Sequence, residues 1–561
     1  MISGAELVVK ALIEEAVEVC FAYPGGQAID LFDALYQREE FRVVLPRHEQ
    51  GLIHAADGYA RSTGKVGVCL VTSGPGATNL ITGIATAGYD AAPLVCFTGQ
   101  VATHLIGKDA FQEVDMVGLC RPIAKYAVTV KRREDLGAVI KKAFVIAQTG
   151  KPGVVVVDLP KNIQQELGSA DYPKAVSIRG YQPQIDEEAS VVKKAATYLN
   201  AAERPVLLVG GGVHRGKAYD ELVALAEGGR IPVVTTIMGK GALPSDHELY
   251  IGNVGIHGSL AANHAVATSD VLFGIGTRLN DRVTGKSDTF CLETKIIHLD
   301  IDPAVIGKNV DADVALVGEA KRILSQMIPW ISEADHQAWL QQLQSLKLEN
   351  PLQMLEPGLT PETIINKIND MFTNAIVVTD VGQNQLWTTQ FLQVDKQVQL
   401  LTSGGLGTMG FGFPAALGAK LGNPEKDVIV ITGDGGFQMN LQELATAMLE
   451  NIPVIICIFN NGCLGNVRQW QEMFYDKRYS YTDLMQSSEV YVPDFLALAA
   501  SYGIKGIRVT EEEQIEPAFT AAKESKNQPF LIEFMLEREQ KVMPIVPPGQ
   551  SLKEMIIDGE N

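Results

Sequence analysis

Three doubly wound α/β domains, each built on a parallel sheet, are the fold class this sequence predicts, and three observations predict it. Short buried apolar runs alternate with helical patterns in three successive blocks, the arrangement that puts helices on both faces of a parallel sheet. Two polar stretches, Gln164 to Glu187 and residues 333–362, interrupt the alternation and read as linkers. The length of 561 residues suits about three domains on a prior of roughly 150–200 residues each.

The first block, 1–170, carries apolar runs at Val19 to Tyr23, Arg42 to Leu45, Val66 to Thr72, Leu94 to Thr98 and Val154 to Leu159. The second, 188–332, carries them at Val206 to Val209, Val233 to Thr236, Val271 to Ile275 and Ile296 to Asp300. In the third, 360–537, they fall at Ile376 to Thr379, Val398 to Leu401, Val428 to Ile431, Val454 to Phe459 and Phe530 to Phe534. Blocks one and three match in size and strand count, which suggests an old duplication. A Pro-rich tail, 538–561, reads as an arm or lid.

Composition excludes several function classes. A net charge of −19 argues against nucleic acid or an anionic membrane as partner, so anionic substrates need a local positive site. Seven cysteines, several inside apolar runs (Cys20, Cys69, Cys96, Cys457) and none in a CxxC, read as reduced core residues of a cytoplasmic protein. No charged-then-apolar leader precedes Gly4, and no apolar run approaches the ~18 residues of a membrane span. A soluble protein is expected, not a plastid precursor.

The chemistry concentrates in Asp427 to Cys463. An apolar run stops at Gly433-Asp434-Gly435, Asn440 with Glu443 three residues on reads as a capping box, and Leu441, Leu444, Ala445, Met448 and Leu449 repeat at helical spacing. A second apolar run ends at Asn460-Asn461. This strand, helix, strand unit makes its strands parallel, so Asp434 and Asn461 arrive together at the carboxyl edge, where open α/β sheets bind ligands. A carboxylate, an amide oxygen and a backbone carbonyl such as that of Cys463 suit Mg²⁺, a hard cation that keeps positions for water and phosphate oxygens. Gly435 and Gly436 let backbone N–H groups approach a phosphate. One GDG alone is equally an ordinary βα turn with a capping Asp; the twenty-four residues between Gly435 and Asn460, with a helix between, are the stronger signal.

GDG followed at this distance by NN resembles the thiamine-diphosphate motif, which holds the cofactor's diphosphate through Mg²⁺. TSGGLGTMGFGFPAALGA (402–419), RQWQEMFYDKRYS (468–480) and RHEQGLIHAADGYARSTGKVGVCLVTSGPGATNL (47–80) are similar to the large catalytic subunits of acetohydroxyacid (acetolactate) synthases. The resemblance runs from about residue 3 to about 558. It implies the thiamine-diphosphate-binding fold: related outer domains for the pyrimidine and the diphosphate, and a nucleotide-binding-like middle domain.

Glu49, in Arg47-His48-Glu49-Gln50, stands at a strand-to-helix junction, where a carboxylate also simply favours the helix dipole. Thiamine chemistry gives it a task. The cofactor's 4′-amino group becomes basic enough to take the thiazolium C2 proton when the pyrimidine N1′ is protonated, and a buried carboxyl of raised pKa can supply that proton. The resemblance puts Glu49 in this role, Met409 as the apolar wedge that bends the cofactor, and the Gly407 carbonyl on the amino group. Gln383 and Asn384 match residues holding the diphosphate from the other side. In related enzymes the Glu and the metal motif come from different subunits, so a homodimer or homotetramer is expected.

Joining a two-carbon unit to a second 2-keto acid rather than to a proton needs a water-poor cavity and one cation for the acceptor carboxylate. Trp470 matches the family's aromatic on the acceptor side. Arg282 is the candidate carboxylate clamp, since Arg recognises carboxylates bidentately. Phe111, Gln112 and Lys125 match further channel residues, and Gly26 lies where a side chain would crowd the reacting carbon. Core aromatic, surface ion pair and simple turn are the respective bland readings of Trp470, Arg282 and Gly26. No His-His pair occurs, which counts against a pyruvate-decarboxylase-like enzyme.

Gly210-Gly211-Gly212 follows a buried strand, although GxGxxG is absent. With it, Thr236, Gly255 and His257 match family positions that bind FAD. So do Gly276, Arg278, Asp300 and Asp302; the flavin would be structural, because the reaction has no net redox change. Asn280 and Glu319 stand where Asp is expected. Asn384 replaces an expected His, Gly436 a Ser, Asn466 a Met and Gln27 an Ala. The expected activity is acetolactate synthesis from pyruvate, with pyruvate or 2-ketobutyrate as acceptor, and a regulatory small subunit as a further partner. A thiamine-dependent lyase or carboligase of other donor or acceptor is the alternative, and a non-catalytic cofactor-binding paralogue the third.

Overall fold

The computed structural model describes residues 1–183, 187–354, 357–395, 397–487, 490–491 and 493–557; positions 184–186 and 355–356 of the linkers and 558–561 of the tail lie outside them. The N-terminal domain holds β1 (Val19–Ala22), β2 (Arg42–Val44), β3 (Gly67–Val71), β4 (Leu94–Gln100), β5 (Tyr126–Thr129) and β6 (Val154–Pro160). The middle domain holds β7 (Pro205–Val209), β8 (Val233–Thr235), β9 (Tyr250–Asn253), β10 (Val271–Ile275), β11 (Lys295–Asp300) and β12 (Val314–Val317). In the C-terminal domain are β13 (Ala375–Thr379), β14 (Gln399–Leu401), β15 (Asp427–Gly433), β16 (Ile455–Asn460), β19 (Lys505–Val509) and β20 (Phe530–Met535). A small antiparallel pair, β17 (Met485–Ser487) and β18 (Val490–Tyr491), precedes β19.

Each domain folds on one six-stranded sheet, and every neighbouring pair in the three sheets is parallel. The outer domains run β2-β1-β3-β4-β6-β5 and β14-β13-β15-β16-β20-β19, the same order strand for strand. The middle sheet, β9-β8-β7-β10-β11-β12, has the 3-2-1-4-5-6 winding of nucleotide-binding folds. Four strands of the three parallel sheets escape the sequence reading, β5, β9, β12 and β19, and all four lie at sheet edges. An edge strand needs no continuous apolar run: β19 reads Lys-Gly-Ile-Arg-Val and buries only Val509.

Period-two alternation fills both faces of the buried strands. Val68 and Leu70 of β3 enter one core while Cys69 and Val71 enter the other. Ile429 and Ile431 of β15 face one side, Val428 and Val430 the opposite.

The outer domains are joined by a helix crossing. The Glu49–Thr63 and Gly412–Gly422 helices meet so closely that a Cβ on Gly58 would lie 2.0 Å from the Ala415 carbonyl oxygen, and one on Gly418 1.8 Å from that of Ala55. Arg61, on the first of these helices, pairs with Asp57 and with Asp90 (3.3 Å) and donates to the Thr402 carbonyl at 2.8 Å.

The capping box expected at Asn440 and Glu443 does not form. Residues Leu441–Glu443 make one 3-10 turn before the Leu444–Leu449 helix, and Asn440 makes no capping bond. Its amide instead donates to the Gly410 carbonyl at 2.8 Å. The Glu443 carboxylate crosses to the N-terminal domain and accepts the N–H groups of Arg47 (3.0 Å) and His48 (3.1 Å). Tertiary partners outbid the local cap.

The tail leaves the C-terminal domain as a strap. The Gln540 carbonyl accepts from Gln383 at 3.1 Å, Val542 N–H donates to Gln469 at 2.9 Å, and Val546 N–H then reaches the Ile256 carbonyl of the middle domain at 2.8 Å.

Candidate active site

In each doubly wound sheet the strand order reverses at one point, and the loops leaving the two strands there form a crevice. In the C-terminal domain the reversal lies between β13 and β15. Asp380 and Gly382 leave β13; Asp434 and Gly435 leave β15; Asn461 leaves the adjacent β16.

Asp434 and Asn461 do meet. Asp434 is buried, and burial pushes its carboxyl up to about 7 against the pull of N–H groups from Gly435 and Asn461. A buried carboxyl of this kind is satisfied by a proton or by a cation. Asn461 Oδ1 accepts the Cys463 N–H at 3.3 Å, and its Nδ2 donates to Gln383 Oε1 at 3.1 Å. Gln383 in turn donates to Gln469 Oε1 at 3.0 Å. Among the described residues no group of three His, Cys, Asp or Glu side chains has metal-binding spacing, so a cation here would rest on one carboxylate with amide and carbonyl oxygens. Asn384 is buried beside Gly382 and Gly433, and its Oδ1 has no partner, an acceptor left free at the crevice.

The Gly407–Met409 loop hangs over this edge. Gly407 adopts φ 73°, in the left-handed region, and the Met409 Cε lies 3.6 Å from where a Cβ on Gly435 would stand. Asp380, which sequence reasoning missed, organises the loop: its buried carboxylate accepts N–H groups from Val381 (2.8 Å), Gly410 (3.0 Å) and Gly412 (2.9 Å). Burial raises its pKa, and those N–H groups oppose the rise. Its place at a strand tip before Gly382 was the available signal. A Cβ on Gly436 would meet Asp380 Oδ1 at 2.5 Å, so this glycine makes room for protein. The Ser expected at 436 has no room unless Asp380 moves.

The N-terminal domain reverses between β1 and β3. Glu49 opens its helix, with only 9% of its surface exposed. Asn79, unflagged by the sequence reading, donates to Glu49 Oε2 at 2.9 Å, and a Cβ on Gly76 would lie 3.2 Å from Oε1. Gly25 packs on Thr72; Gly26 has open space where a Cβ would point, and its carbonyl accepts from Lys161 at 2.8 Å. Gln112 joins this edge, with φ 61° and its backbone against Gly74. Phe111 beside it is 85% exposed, a large apolar side chain with no cover in the chain.

Lys125 lies apart from them within the chain. It immediately precedes β5, at the opposite edge of the parallel sheet, and its ammonium is spent on the carbonyls of Ile146 and Thr149 at the end of the Leu136–Gln148 helix. Arg282 lies at the surface, its guanidinium 2.7 Å from Asp281. Trp470 packs edge-on against Phe474 with centroids 5.8 Å apart, and its Nε1 has no partner; neither has Oδ1 of Asn466, one turn earlier.

In the middle domain the reversal lies between β7 and β10, and there the predicted residues gather. Gly210 and Gly212 leave β7 against Gly276, which has φ 58° and leaves β10; added Cβ atoms would come within 2.4 to 2.6 Å. Gly211 stands 3.3 Å, measured from its virtual Cβ, from Met238, in the turn that Thr236 caps through Gly239 N–H. Arg278 lies over the Tyr89 ring at 5.5 Å. Asp300 ends β11, its pKa raised by burial; it accepts the Asp302 N–H at 2.9 Å, and Asp302 pairs with Lys151 at 3.2 Å. Gly255 has φ 128° under the Arg282 carbonyl. Burial drives His257 down to about 4, and its Nδ1 has no partner.

Known proteins agree with this architecture domain by domain. Residues 2–119 match the thiamine pyrophosphate enzyme N-terminal TPP binding domain, 192–327 the central domain, and 380–534 the C-terminal TPP binding domain. A probable acetolactate synthase large subunit of Methanocaldococcus jannaschii is 47% identical over 99% of the chain and 95% of its own length. The acetolactate synthase large subunits of Corynebacterium glutamicum (44%, covering 98% and 89%) and Haemophilus influenzae (42%, covering 99% and 98%) are similar end to end as well. With three matched domains and relatives of this identity along its whole length, the chain belongs to the acetolactate synthase large-subunit family of thiamine pyrophosphate enzymes.

Proposed function

We propose that the chain is the catalytic subunit of an acetolactate synthase. It decarboxylates pyruvate and ligates the two-carbon unit to a second 2-keto acid, pyruvate or 2-ketobutyrate, the first common step of branched-chain amino acid biosynthesis. The observation that carries this reading is the meeting of Asp434, Asn461 and Gln383 at neighbouring strand tips, in a chain matched end to end by proteins of that name.

Thiamine diphosphate, when bound, would supply a thiazolium ring able to take up the electron pair that carbon dioxide leaves behind. The chain's residues do the rest. Glu49 holds a proton on the pyrimidine nitrogen, and Asn79 orients that carboxyl. Met409 would be the apolar wedge against the cofactor, and Gly407 would offer its carbonyl. Asp434, Asn461 and the Cys463 carbonyl would hold Mg²⁺, with Gln383, Asn384, Gly435 and Gly436 around the diphosphate; the buried carboxyl of Asp434 and the unpartnered Asn384 Oδ1, both oxygen acceptors, fit a cation. Gly26, Phe111, Gln112, Arg282 and Trp470 bound the acceptor side.

FAD would lie across the β7/β10 crevice, where the Gly210–Gly212 turn and the unpartnered His257 nitrogen fit a dinucleotide. The active unit is a homodimer or homotetramer. Phe111, Leu406, Met439 and Val467 are all exposed apolar side chains bordering the site residues, which supports a second copy covering them. Relatives named large subunits support a regulatory small subunit as partner. No helix among the described residues is long and apolar enough to cross a membrane, and the seven cysteines are free thiols, which fits a cytoplasmic location.

A second reading, a carboligase with a different acceptor, has one observation in its favour: Asn466 places an unpartnered amide oxygen one turn from Trp470. Incubation with pyruvate, thiamine diphosphate, Mg²⁺ and FAD, followed by mass spectrometry of the products, decides. Acetolactate supports the proposal, acetaldehyde or another adduct favours a different lyase or carboligase, and no product overturns catalysis.

A further inference from the structure

Glu443 has no part in the chemistry set out above, yet it is one of the most completely buried carboxyls in the chain, 1% exposed. It belongs to the C-terminal domain, and all but one of its carboxylate's hydrogen bonds leave that domain. Both its oxygens accept the Arg47 N–H at 3.0 Å, and Oε1 also accepts the His48 N–H at 3.1 Å. The remaining bond, from Thr446 Oγ1 to Oε2 at 2.6 Å, fixes the rotamer.

Arg47 and His48 are the two residues before Glu49, and His48 is the N-cap of the helix that Glu49 opens. Gly51, in the first turn, gives the carboxylate its seat: a Cβ there would stand 2.6 Å from Oε1 and 2.9 Å from Cδ. A buried anion thus takes the N-cap N–H that an isolated helix leaves unpaired, together with the N–H of the residue before it, where the helix dipole favours negative charge. Burial raises the Glu443 pKa while the Arg47 and His48 N–H groups oppose the rise. On the other side, Asn440 holds the Gly410 carbonyl at 2.8 Å, next to Met409. One 3-10 turn therefore ties the start of the Glu49 helix to the Met409 loop.

We infer that Glu443 is a positioning residue for Glu49, fixing from the C-terminal domain the backbone that aims the Glu49 carboxyl. This rests on the proton-holding role proposed for Glu49. A displaced acid loses catalytic effect steeply, about 10- to 100-fold for an error near 1 Å.

The test reads the step Glu49 serves: the rate at which thiamine diphosphate bound to the full-length protein exchanges its thiazolium C2 proton in D₂O. Glu443→Gln should slow exchange about 10- to 100-fold. In a Glu49→Gln background it should slow it no further, because the acid it aims is gone. Wild-type exchange in Glu443→Gln, or equal slowing in both backgrounds, overturns the inference. Should Glu443→Gln fail to fold, Gly51→Ala displaces the same carboxylate and is read the same way. Wild-type exchange in Glu49→Gln alone would instead remove the role proposed for Glu49, and this inference with it.

Discussion

Asp380 Oδ2 accepts the Gly412 N–H across 2.9 Å, and the same carboxylate holds Gly410, so one buried acid grips the segment on both sides of Phe411. Met409 lies directly before that grip. Asp380→Asn puts an amide donor against N–H groups that need an acceptor. We expect a loss of about 1–3 kcal/mol in stability and weaker binding of thiamine diphosphate. Thermal unfolding and cofactor titration of the variant check both.

Mg²⁺ binding should depend on pH through Asp434, whose carboxyl is pushed up to about 7 by burial. Its folded pKa lies above the ordinary carboxyl value, so without metal its contribution to stability is full below about 4 and is lost as pH rises to about 7. Mg²⁺ needs the ionised form. Affinity should rise with pH up to about 7 and level off above it, with about one proton released per ion at pH 6. Titration calorimetry in buffers of different ionisation enthalpy measures that proton.

Glu49→Gln should fold, bind cofactor more weakly and lose about 100-fold or more in kcat. Steady-state kinetics at saturating thiamine diphosphate gives the result. Activity close to wild type would take Glu49 out of the mechanism.

Gly418→Ala would drive a methyl group to within 1.8 Å of the Ala55 carbonyl oxygen, where neither helix can yield without parting the outer domains. A loss of about 3 kcal/mol and a lower Tm are expected, measured by calorimetry. Alanine at Gly228, within the Tyr219–Gly229 helix and with its nearest neighbour to an added Cβ 4.0 Å away, is the control that should not lower Tm.

Dilution should abolish activity below the dimer dissociation constant if a second copy covers Phe111 and Met439. Activity and sedimentation recorded over the same concentration series will coincide. An active monomer would contradict the shared site.

What was legible in the sequence follows from where each signal resides. The central strands are dry on both faces, so β15 and β16 announce themselves as apolar runs, whereas β19 at an edge carries Lys505 and Arg508 and passes for loop. Asp434 and Asn461 were readable because one strand, helix, strand unit fixes their separation. Glu443 was misread because a capping box is a local pattern, and its true partners, Arg47 and His48, lie 396 and 395 residues away. Lys125 was placed by resemblance alone, and its ammonium turns out to close a helix end. Asp380 carried no motif of its own; only the folded loop reveals the N–H groups it gathers.

The crossing of Gly58 with Gly418 also limits how such chains can be recombined. Backbones that touch leave no cushion of side chains to absorb a mismatch, so the outer domains are not interchangeable parts despite their identical winding. A chimera taking its first domain from one relative and its third from another should survive only when the first donor keeps glycine at position 58 and the second keeps it at position 418.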